Sequence, residues 1–315
     1  MDKTFKTLDE QVSILRHRGL RISEESKQVL QKENYYSLVN GYKELFIQTP
    51  ATSSTEEQYK DGASFEEIKA LYDFDFELRM LLLRRILRIE NNIKSSIAYT
   101  FSEQHGHDNY LKIENFDTEV KKNKVNRLKN IIQLLQGIQG EIAKNITKHN
   151  SIKHYMTEYG YVPLWVLVNV LSLGTISKFF NLMKQRDRQM VGKSFQIQET
   201  DFGNMIGFLT LIRNKCAHDE RLFDFSAKTQ IPTNTIHESL KIPINSGGQP
   251  IKGNHDIFAA FICLKLFLST EDFTKTAMEL NDTLTLLTDK LTVISIDEVL
   301  DKMGFPENWL DIKDL

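Results

Sequence analysis

The segment from Arg213 to His218 brings an arginine, an asparagine and a histidine close enough together to share one site. A neutral histidine can remove a proton from a hydroxyl at about neutral pH or return one to a leaving oxygen. A fixed guanidinium can stabilise a phosphate as it gains charge, and the Asn214 amide can orient either group. In RNA the attacking hydroxyl is the substrate's own 2′-OH, so such a site requires neither a protein nucleophile nor a metal. These residue types are therefore compatible with phosphate chemistry on RNA.

Helical periodicity places this segment on a helix predicted to span residues 200–221. Ile212 and Cys216 lie on its apolar face and should point into the core. Its opposite face is predicted to carry a polar stripe within about 80° of arc, made of Thr210, Asn214, His218 and Arg221. Arg213 flanks this stripe, and its long side chain could reach it. The spacing alone carries little weight, because an ordinary solvated helix face shows the same pattern.

A second charged group lies on an earlier helix, predicted over residues 63–105 because this stretch lacks Gly and Pro and repeats its apolar residues at helical spacing. Glu90 falls at the edge of the apolar stripe, where a carboxylate needs a partner. Lys94, one turn later, can supply a simple ion pair. In the functional alternative, Glu90 buffers Arg213 or His218 across a helix–helix contact. The neighbouring arginines could receive phosphates or form a charged outer face; they are Arg79, Arg84, Arg85 and Arg88.

The chain divides into four predicted regions. Residues 1–62 form an N-terminal helical region that ends in a polar loop, and residues 63–221 form a helical core. Residues 222–254 hold three of the six prolines and are predicted to form a loop or small hairpin. Because this insertion follows the site helix directly, it is a candidate gate or RNA contact that the core does not need. Residues 255–315 are C-terminal helices that pack on the core.

Two further helices are expected inside the core region. The first covers residues 121–150, although Gly137 and Gly140 weaken its middle. The second covers residues 164–183, with a kink at Gly174.

The composition is that of a soluble globular protein rich in helix. Of 315 residues, 41% are hydrophobic and 26% charged, with 15 Gly and 6 Pro, which excludes a disordered, collagen-like or membrane-spanning chain. The formal charge of −2 excludes a positive field over the whole molecule, so an anionic partner must be bound by a local positively charged patch. Two cysteines are too few for a disulfide framework or a thiolate metal site. We therefore expect a cytoplasmic protein with no membrane segment, metal or cofactor.

Motifs of other enzyme classes are absent from the sequence. It contains no Walker loop, dinucleotide fingerprint, nucleophile elbow or zinc-binding HExxH helix. His105 and His107 could bind a metal, but without a nearby Cys or acidic partner they are more simply interpreted as a solvated helix terminus.

Longer blocks of the sequence carry more information than any single motif. They are LRHRGLRI, NYYSLVNGYKELF, LYDFDFELRMLLLRRILRIENNIKSSIAY, PLWVLVNVLSLGTISKFF, LIRNKCAHDERLF and GFPENW. In order and spacing they resemble the AbiD/AbiF-like abortive infection family of bacteria, from Leu15 to Trp309. The resemblance implies an all-α, HEPN-type helical bundle with additional N- and C-terminal helices. This helical class is found in many RNA-cleaving toxins.

The resemblance also implies roles for individual residues. HEPN ribonucleases carry an arginine, usually followed by a polar residue, and a histidine shortly after, which here makes Arg213, Asn214 and His218 the catalytic candidates. Glu90 and Lys94 resemble the acidic and basic pair that recurs on an earlier helix and would support them. Four further cations are candidate RNA contacts: Lys215, Arg221, Arg85 and Arg88. HEPN sites are typically composite, and one chain has a single copy, so a homodimer is expected.

The resulting hypothesis is a bacterial phage-defence protein. It would be a metal-independent HEPN endoribonuclease that cleaves RNA through 2′-OH attack and halts the infected cell. Such a toxin requires an inhibitor, and the resemblance suggests a small RNA. The alternative is a non-catalytic helical sensor that binds RNA or a phage protein, although the presence of both Arg213 and His218 favours the enzyme. Nucleotidyl transfer is a weaker idea because no acidic metal triad is evident.

Overall fold

The structure, a computed structural model, describes residues 4–119 and 122–315 and consists mainly of α-helices. In chain order these are α1 (Leu8–His17), α2 (Glu24–Lys32), α3 (Phe65–His105), α4 (Lys124–Asn145), α5 (Asn150–Tyr159), α6 (Leu164–Leu167), α7 (Leu173–Leu182), α8 (Gln185–Ser194), α9 (Glu199–Ala217), α10 (Thr235–Ser239), α11 (Ile257–Phe267), α12 (Thr270–Thr288) and α13 (Ile296–Lys302). The strands β1 (Ile47–Thr49) and β2 (Gln58–Tyr59) pair antiparallel. The predicted all-α fold is confirmed.

Helix α3 runs through the centre of the fold. It begins with a capping box, in which the Ser64 hydroxyl accepts from the Glu67 N–H while the Glu67 carboxylate accepts from the Ser64 N–H. Its inner face is fully buried along the predicted apolar stripe, and α6, α8, α9, α11 and α12 all pack against it. The helix ends at Gly106, whose φ of +86° is readily adopted only by glycine. The predicted helix over residues 63–105 is confirmed.

Helix α9 packs along α3 and carries the predicted site segment. It ends at Ala217, earlier than predicted, and Asp219 then adopts a left-handed φ of +56°. Because the chain has turned by this point, the prediction that Arg221 shares the polar stripe is wrong. The cause is a tertiary contact, since the backbone N–H of Leu222 donates to the buried carboxylate of Asp75 on α3.

The stretch 164–183 is broken, but not at the predicted place. Helix α6 continues into a single 3₁₀ turn (Val168–Val170), and Leu171 is then extended, with ψ of 140°. Ser172 starts α7 by accepting a hydrogen bond from the Thr175 N–H. Gly174 lies in the first turn of α7, where an added Cβ would contact Thr210 of α9 at 3.5 Å. This is an ordinary van der Waals distance, so a side chain could be accommodated here. The break in the helix lies before α7, and the predicted kink at Gly174 is wrong.

The N-terminal residues pack directly on α3. The Tyr42 hydroxyl donates to Asp75 at 2.6 Å, and Arg18 and Lys43 both bind Glu57 in the hairpin. Within the stretch 121–150, which was predicted to be helical, α4 continues without a break through Gly137 and Gly140. The predicted start of that helix, Lys121, lies outside the described residues. The boundaries of the four predicted regions remain predictions.

Residues 222–254 contain α10 and a narrow turn in which Ile244 is bridged to Pro250. Several of its apolar side chains are buried, among them Phe223, Ile231 and Ile236. The segment therefore contributes to the core, which differs from the predicted gate that the core does not need. In the part of the chain that the structure describes, no helix is both long and apolar enough to cross a membrane.

Candidate functional site

The candidate site begins where α9 crosses α3. Arg213 is half-buried, and its Nε lies 3.6 Å from Glu90 Oε2. The other oxygen of Glu90 lies 2.7 Å from Lys94 Nζ, and both side chains of this pair are nearly buried. Glu90 thus contacts its helical neighbour and also Arg213 across the helix–helix contact. The ion pair with Lys94 and the contact with Arg213, which the sequence offered as alternatives, therefore occur together.

This cluster of three charges is not saturated with hydrogen bonds. Arg213 Nε and Glu90 Oε2 are buried atoms, and neither has a hydrogen-bond partner among the described residues. Their separation is slightly too long for a direct bond. Two cations around one carboxylate leave a surplus of one positive charge. This surplus suits a cluster that must attract a phosphate without being neutralised beforehand.

The Arg213 side chain lines an open cavity of about 360 Å³, which we call the arginine cavity. Glu90 and Lys94 form one side of it, and Glu141 and Lys144 of α4 lie on another. The remaining lining comes from the break before α7 and its first turn, namely Asn169, Val170, Leu171, Ser172 and Thr175. The break in residues 164–183 therefore creates one wall of the cavity.

Asn214 and His218 lie on the outer face of α9, as predicted, and both are exposed. His218 caps the helix through its backbone N–H, which donates to the Asn214 carbonyl at 3.0 Å. Thr210, one turn before Asn214, is partly buried, and its hydroxyl donates to the Ile206 carbonyl of its own helix at 2.7 Å. Arg213 is turned by about 100° from Asn214 around the helix. Within one chain, Arg213 and His218 therefore face adjacent surfaces, and His218 does not line the arginine cavity.

The turn that follows His218 is fixed by a buried ion pair that the sequence reasoning missed. Asp75 is fully buried and accepts from the N–H groups of Leu222 and Phe223, as well as from Arg79. Arg79 also donates from Nη2 to Asp219 Oδ1 at 2.7 Å. This clamp ties the left-handed turn after His218 to the centre of α3.

The clamp corrects the interpretation of Arg79. The residue was grouped with arginines that could receive phosphates, but only 2% of its side chain is exposed. A carboxylate and an arginine one turn apart on the apolar face of a helix are the signal that could have revealed it, because such charges must find partners inside the protein. Burial beside Asp75 also raises the pKa of the Tyr42 phenol, which therefore remains a donor to that carboxylate.

Two of the four predicted RNA contacts lie near the end of α9. Lys215 pairs with Glu220 at 2.8 Å and lies over the Phe225 ring. Arg221 pairs with Asp224 at 2.8 Å and donates to the Gly41 carbonyl. Both line an open cavity of about 690 Å³ next to the turn after His218.

The other two predicted contacts are directed elsewhere. Arg85 binds Glu279 and Arg88 binds Asp272, and both partners belong to α12. These ion pairs join α3 to α12, and the structure does not bring the two arginines together with Arg213. Their contact with RNA remains a prediction.

Other reactive side chains have structural partners. His105 contacts Asp187 at 2.7 Å, and His107 contacts the Tyr161 hydroxyl at 2.9 Å. Burial raises the pKa of the Cys216 thiol to about 12, so it packs in α9 as an apolar side chain. Across residues 4–119 and 122–315, no group of three or more His, Cys, Asp or Glu residues could hold a metal ion.

Comparison with known protein families identifies the family of the chain. A family model described as Abi-like protein matches residues 28–224. The chain belongs to the Abi-like protein family. The match extends from α2 to the turn after α9 and includes Glu90, Lys94, Arg213 and His218. Searches of curated proteins and of solved structures gave no match.

Membership of the Abi-like family points to abortive infection, a form of phage defence. The match ends at Asp224, so the last block of the resemblance, GFPENW, lies outside it, as does LRHRGLRI at the start. The most conspicuous polar cluster of this Abi-like protein, around Glu90 and Arg213, lies inside the matched region.

Proposed function

We propose that this Abi-like protein is a metal-independent endoribonuclease of HEPN type that acts in the cytoplasm and halts infected cells by cleaving RNA. One observation carries the proposal. Arg213 lies at ion-pair distance from the buried Glu90 carboxylate on one side of α9, while Asn214 and the C-cap residue His218 are exposed. An arginine supported in this way keeps its charge oriented, and an exposed histidine can exchange protons.

The proposed reaction needs only these side chains and the substrate. His218 accepts the proton of the 2′-OH, and the 2′-oxygen attacks the adjacent phosphorus. Arg213 stabilises the extra negative charge of the phosphorane. The bond to the 5′-oxygen then breaks, a proton passes to that oxygen, and the products carry a 2′,3′-cyclic phosphate and a 5′-hydroxyl. Asn214 orients the substrate or the histidine.

We further propose that two copies complete the site. In one chain Arg213 and His218 face adjacent surfaces, so a single subunit does not surround a phosphate with both. A stripe of partly exposed apolar residues follows one face of α3 and ends one turn before Glu90, made of Phe76, Met80, Leu83 and Leu87. Leu211, also 40% exposed, lies on the outer face of α9 with His218. Burial of this apolar surface would favour a dimer whose paired histidines supply both acid and base.

The charges around the site fit a narrow substrate contact. Lys94, Arg213, Lys215 and Arg221 provide local positive charge, with acidic groups beside each of them. This balance opposes unselective coating of RNA and is compatible with one well-placed phosphate. Because an active toxin would harm its own cell, we propose an inhibitor, for which a small RNA is the candidate.

Substitution of the two proposed catalytic side chains tests the enzyme. Wild-type protein is expressed beside His218→Ala and Arg213→Ala, and growth and RNA ends are measured. We expect each substitution to abolish growth arrest and to reduce cleavage by a factor of at least about 100, since a general acid or base contributes about that much. His17→Ala, an exposed histidine on α1, is the matched control and should behave as wild type.

Survival of RNA cleavage in both variants would disprove the catalytic assignment. The competing function is a non-catalytic sensor of RNA or of a phage protein, and the exposure of His218 outside the arginine cavity is the observation that favours it. In that case the purified protein would bind its ligand and leave it intact, and both alanine variants would still protect cells.

A further inference from the structure

A groove beside the candidate site has no role in the chemistry described so far. It is an open cavity of about 700 Å³ between the C-terminal half of α3 and the start of α6. Two of its lining residues, Lys94 and Asn169, also line the arginine cavity. The two cavities are therefore neighbours. We call this space the aromatic groove, after Tyr99, His107 and Trp165 in its wall.

The aromatic groove presents large flat rings to solvent. The Trp165 side chain is 52% exposed and that of Tyr99 is 68% exposed. The His107 ring lies 5.8 Å from the Trp165 ring, centre to centre, at an angle of 41°. In contrast, the other tryptophan of the chain, Trp309, is buried. Large aromatic rings left open in a cavity are typical of sites that stack on a planar ligand.

Local structure holds these rings in place. The Leu164 N–H donates to the His107 carbonyl at 3.0 Å, which fixes the end of α3 against the start of α6. His107 is fixed again by its contact with the Tyr161 hydroxyl. Asn169 donates to the carbonyls of Trp165 and Val166, both at 3.2 Å, and so secures the short helix that carries the tryptophan. The groove is thus largely formed before a ligand arrives.

The charge and polarity of the groove indicate what kind of planar ligand fits. Among the described residues that line the groove, Lys94 and Glu103 carry a fixed charge, and Lys94 is already paired with Glu90. Asn91 and Ser95 are exposed and can form hydrogen bonds with the edge of a ring. A nucleobase needs this combination, while its phosphate needs cations, which the adjoining arginine cavity supplies as Lys94 and Arg213. Single-stranded RNA is generally recognised by stacking of unpaired bases on aromatic side chains.

We propose that the aromatic groove binds an unpaired nucleotide of single-stranded RNA, with its base stacked on Trp165 and its phosphate directed towards Lys94 and Arg213. This inference rests on the proposed function, because it names the form in which RNA reaches the same site. It selects single-stranded segments, since a paired base cannot leave its helix to enter the groove without an energetic cost.

Binding to the full-length protein in a His218→Ala background tests the groove without cleavage. A fluorescein-labelled, mixed-sequence single-stranded oligoribonucleotide is titrated, and its anisotropy gives the affinity. Replacement of Trp165 by Ala should weaken binding by about tenfold, a typical loss for one stacked base. Trp165→Phe keeps a ring and should retain most of the affinity. Phe5→Ala removes an exposed aromatic side chain that does not line the groove and should leave the affinity unchanged.

Tryptophan emission provides an independent readout. Trp165 is the exposed one of the two tryptophans, so added single-stranded RNA should quench the emission, and duplex RNA of the same sequence should quench it much less. Equal affinity of Trp165→Ala and its parent for single-stranded RNA would overturn the proposal. A change in Trp165 emission that depends on protein concentration and not on added RNA would also overturn the proposal. Such a result would show that the groove contacts another protein molecule.

The groove and the proposed function can fail separately. If Trp165→Ala in the otherwise wild-type chain cleaves RNA as well as its parent does, the groove proposal is wrong and the endoribonuclease stands. If wild-type protein leaves RNA intact but binds it through Trp165, the groove proposal stands and the endoribonuclease is wrong.

Discussion

At the scale of single residues, Glu90 is the group on which the candidate site depends. It lies between two cations, Lys94 on its own helix and Arg213 on the next, and only 6% of its side chain is exposed. Removal of its charge leaves two positive groups facing each other without a counterion. Arg213 would then lose the contact that orients it, although its own side chain remains intact.

We predict that Glu90→Gln lowers both stability and RNA cleavage. The free energy of unfolding should fall by about 2 kcal/mol, a typical value for lost bonds to a charged group. The loss should not be larger, because Arg213 is partly exposed and solvent screens its interaction with Glu90. Urea denaturation measures the first effect and a cleavage assay the second. Glu77→Gln, at an exposed position on α3, is the control and should change stability little. Full cleavage by Glu90→Gln would show that Arg213 does not need this carboxylate.

At the scale of elements, the contact between α3 and α9 decides where the catalytic candidates lie. It is fixed near one end by Glu90 with Arg213 and near the other by the clamp of Asp75, Arg79 and Asp219. The clamp sets the turn after α9, and this turn leaves His218 at the helix end. Helix α9 is thus positioned by buried charge as well as by apolar packing.

We predict that Arg79→Met destabilises the protein by about 3 to 5 kcal/mol, because it leaves the Asp75 carboxylate buried without a counterion. Thermal or urea unfolding checks this value. Arg84→Met is the matched control, since Arg84 is an exposed arginine on the same helix and its pair with Glu279 contributes at most about 1 kcal/mol. Similar stability losses in both variants would show that the buried clamp contributes no more to stability than an exposed ion pair does.

At the scale of the whole molecule, the proposed composite site requires a second copy of the chain. A subunit presents Arg213 and His218 on adjacent surfaces and leaves the apolar stripe of α3 partly exposed. A stable monomer rarely keeps such a stripe in contact with water. Dimerisation along α3 and α9 would cover the stripe and bring the two catalytic candidates of each chain together.

We predict that Leu87→Asp converts a dimer into a monomer of 36.6 kDa and abolishes RNA cleavage. A charge at this position cannot be buried against a second copy without a large cost. Light scattering coupled to size-exclusion chromatography measures the mass. Leu286→Asp, at a 64% exposed leucine on α12, should remain a dimer. A wild-type protein that is monomeric and still cleaves RNA would contradict the composite site.

The sequence by itself determined the helical class, the long central helix and the group of Arg213, Asn214 and His218, because helical periodicity and local spacing are properties of the chain. It also placed Glu90 where a carboxylate needs a partner. Only the tertiary structure decided that this partner includes Arg213, that Arg79 binds Asp219, and that α9 ends before Arg221. These outcomes depend on contacts between residues far apart in the chain, such as Asp75 with the turn after α9, and no local pattern encodes those contacts.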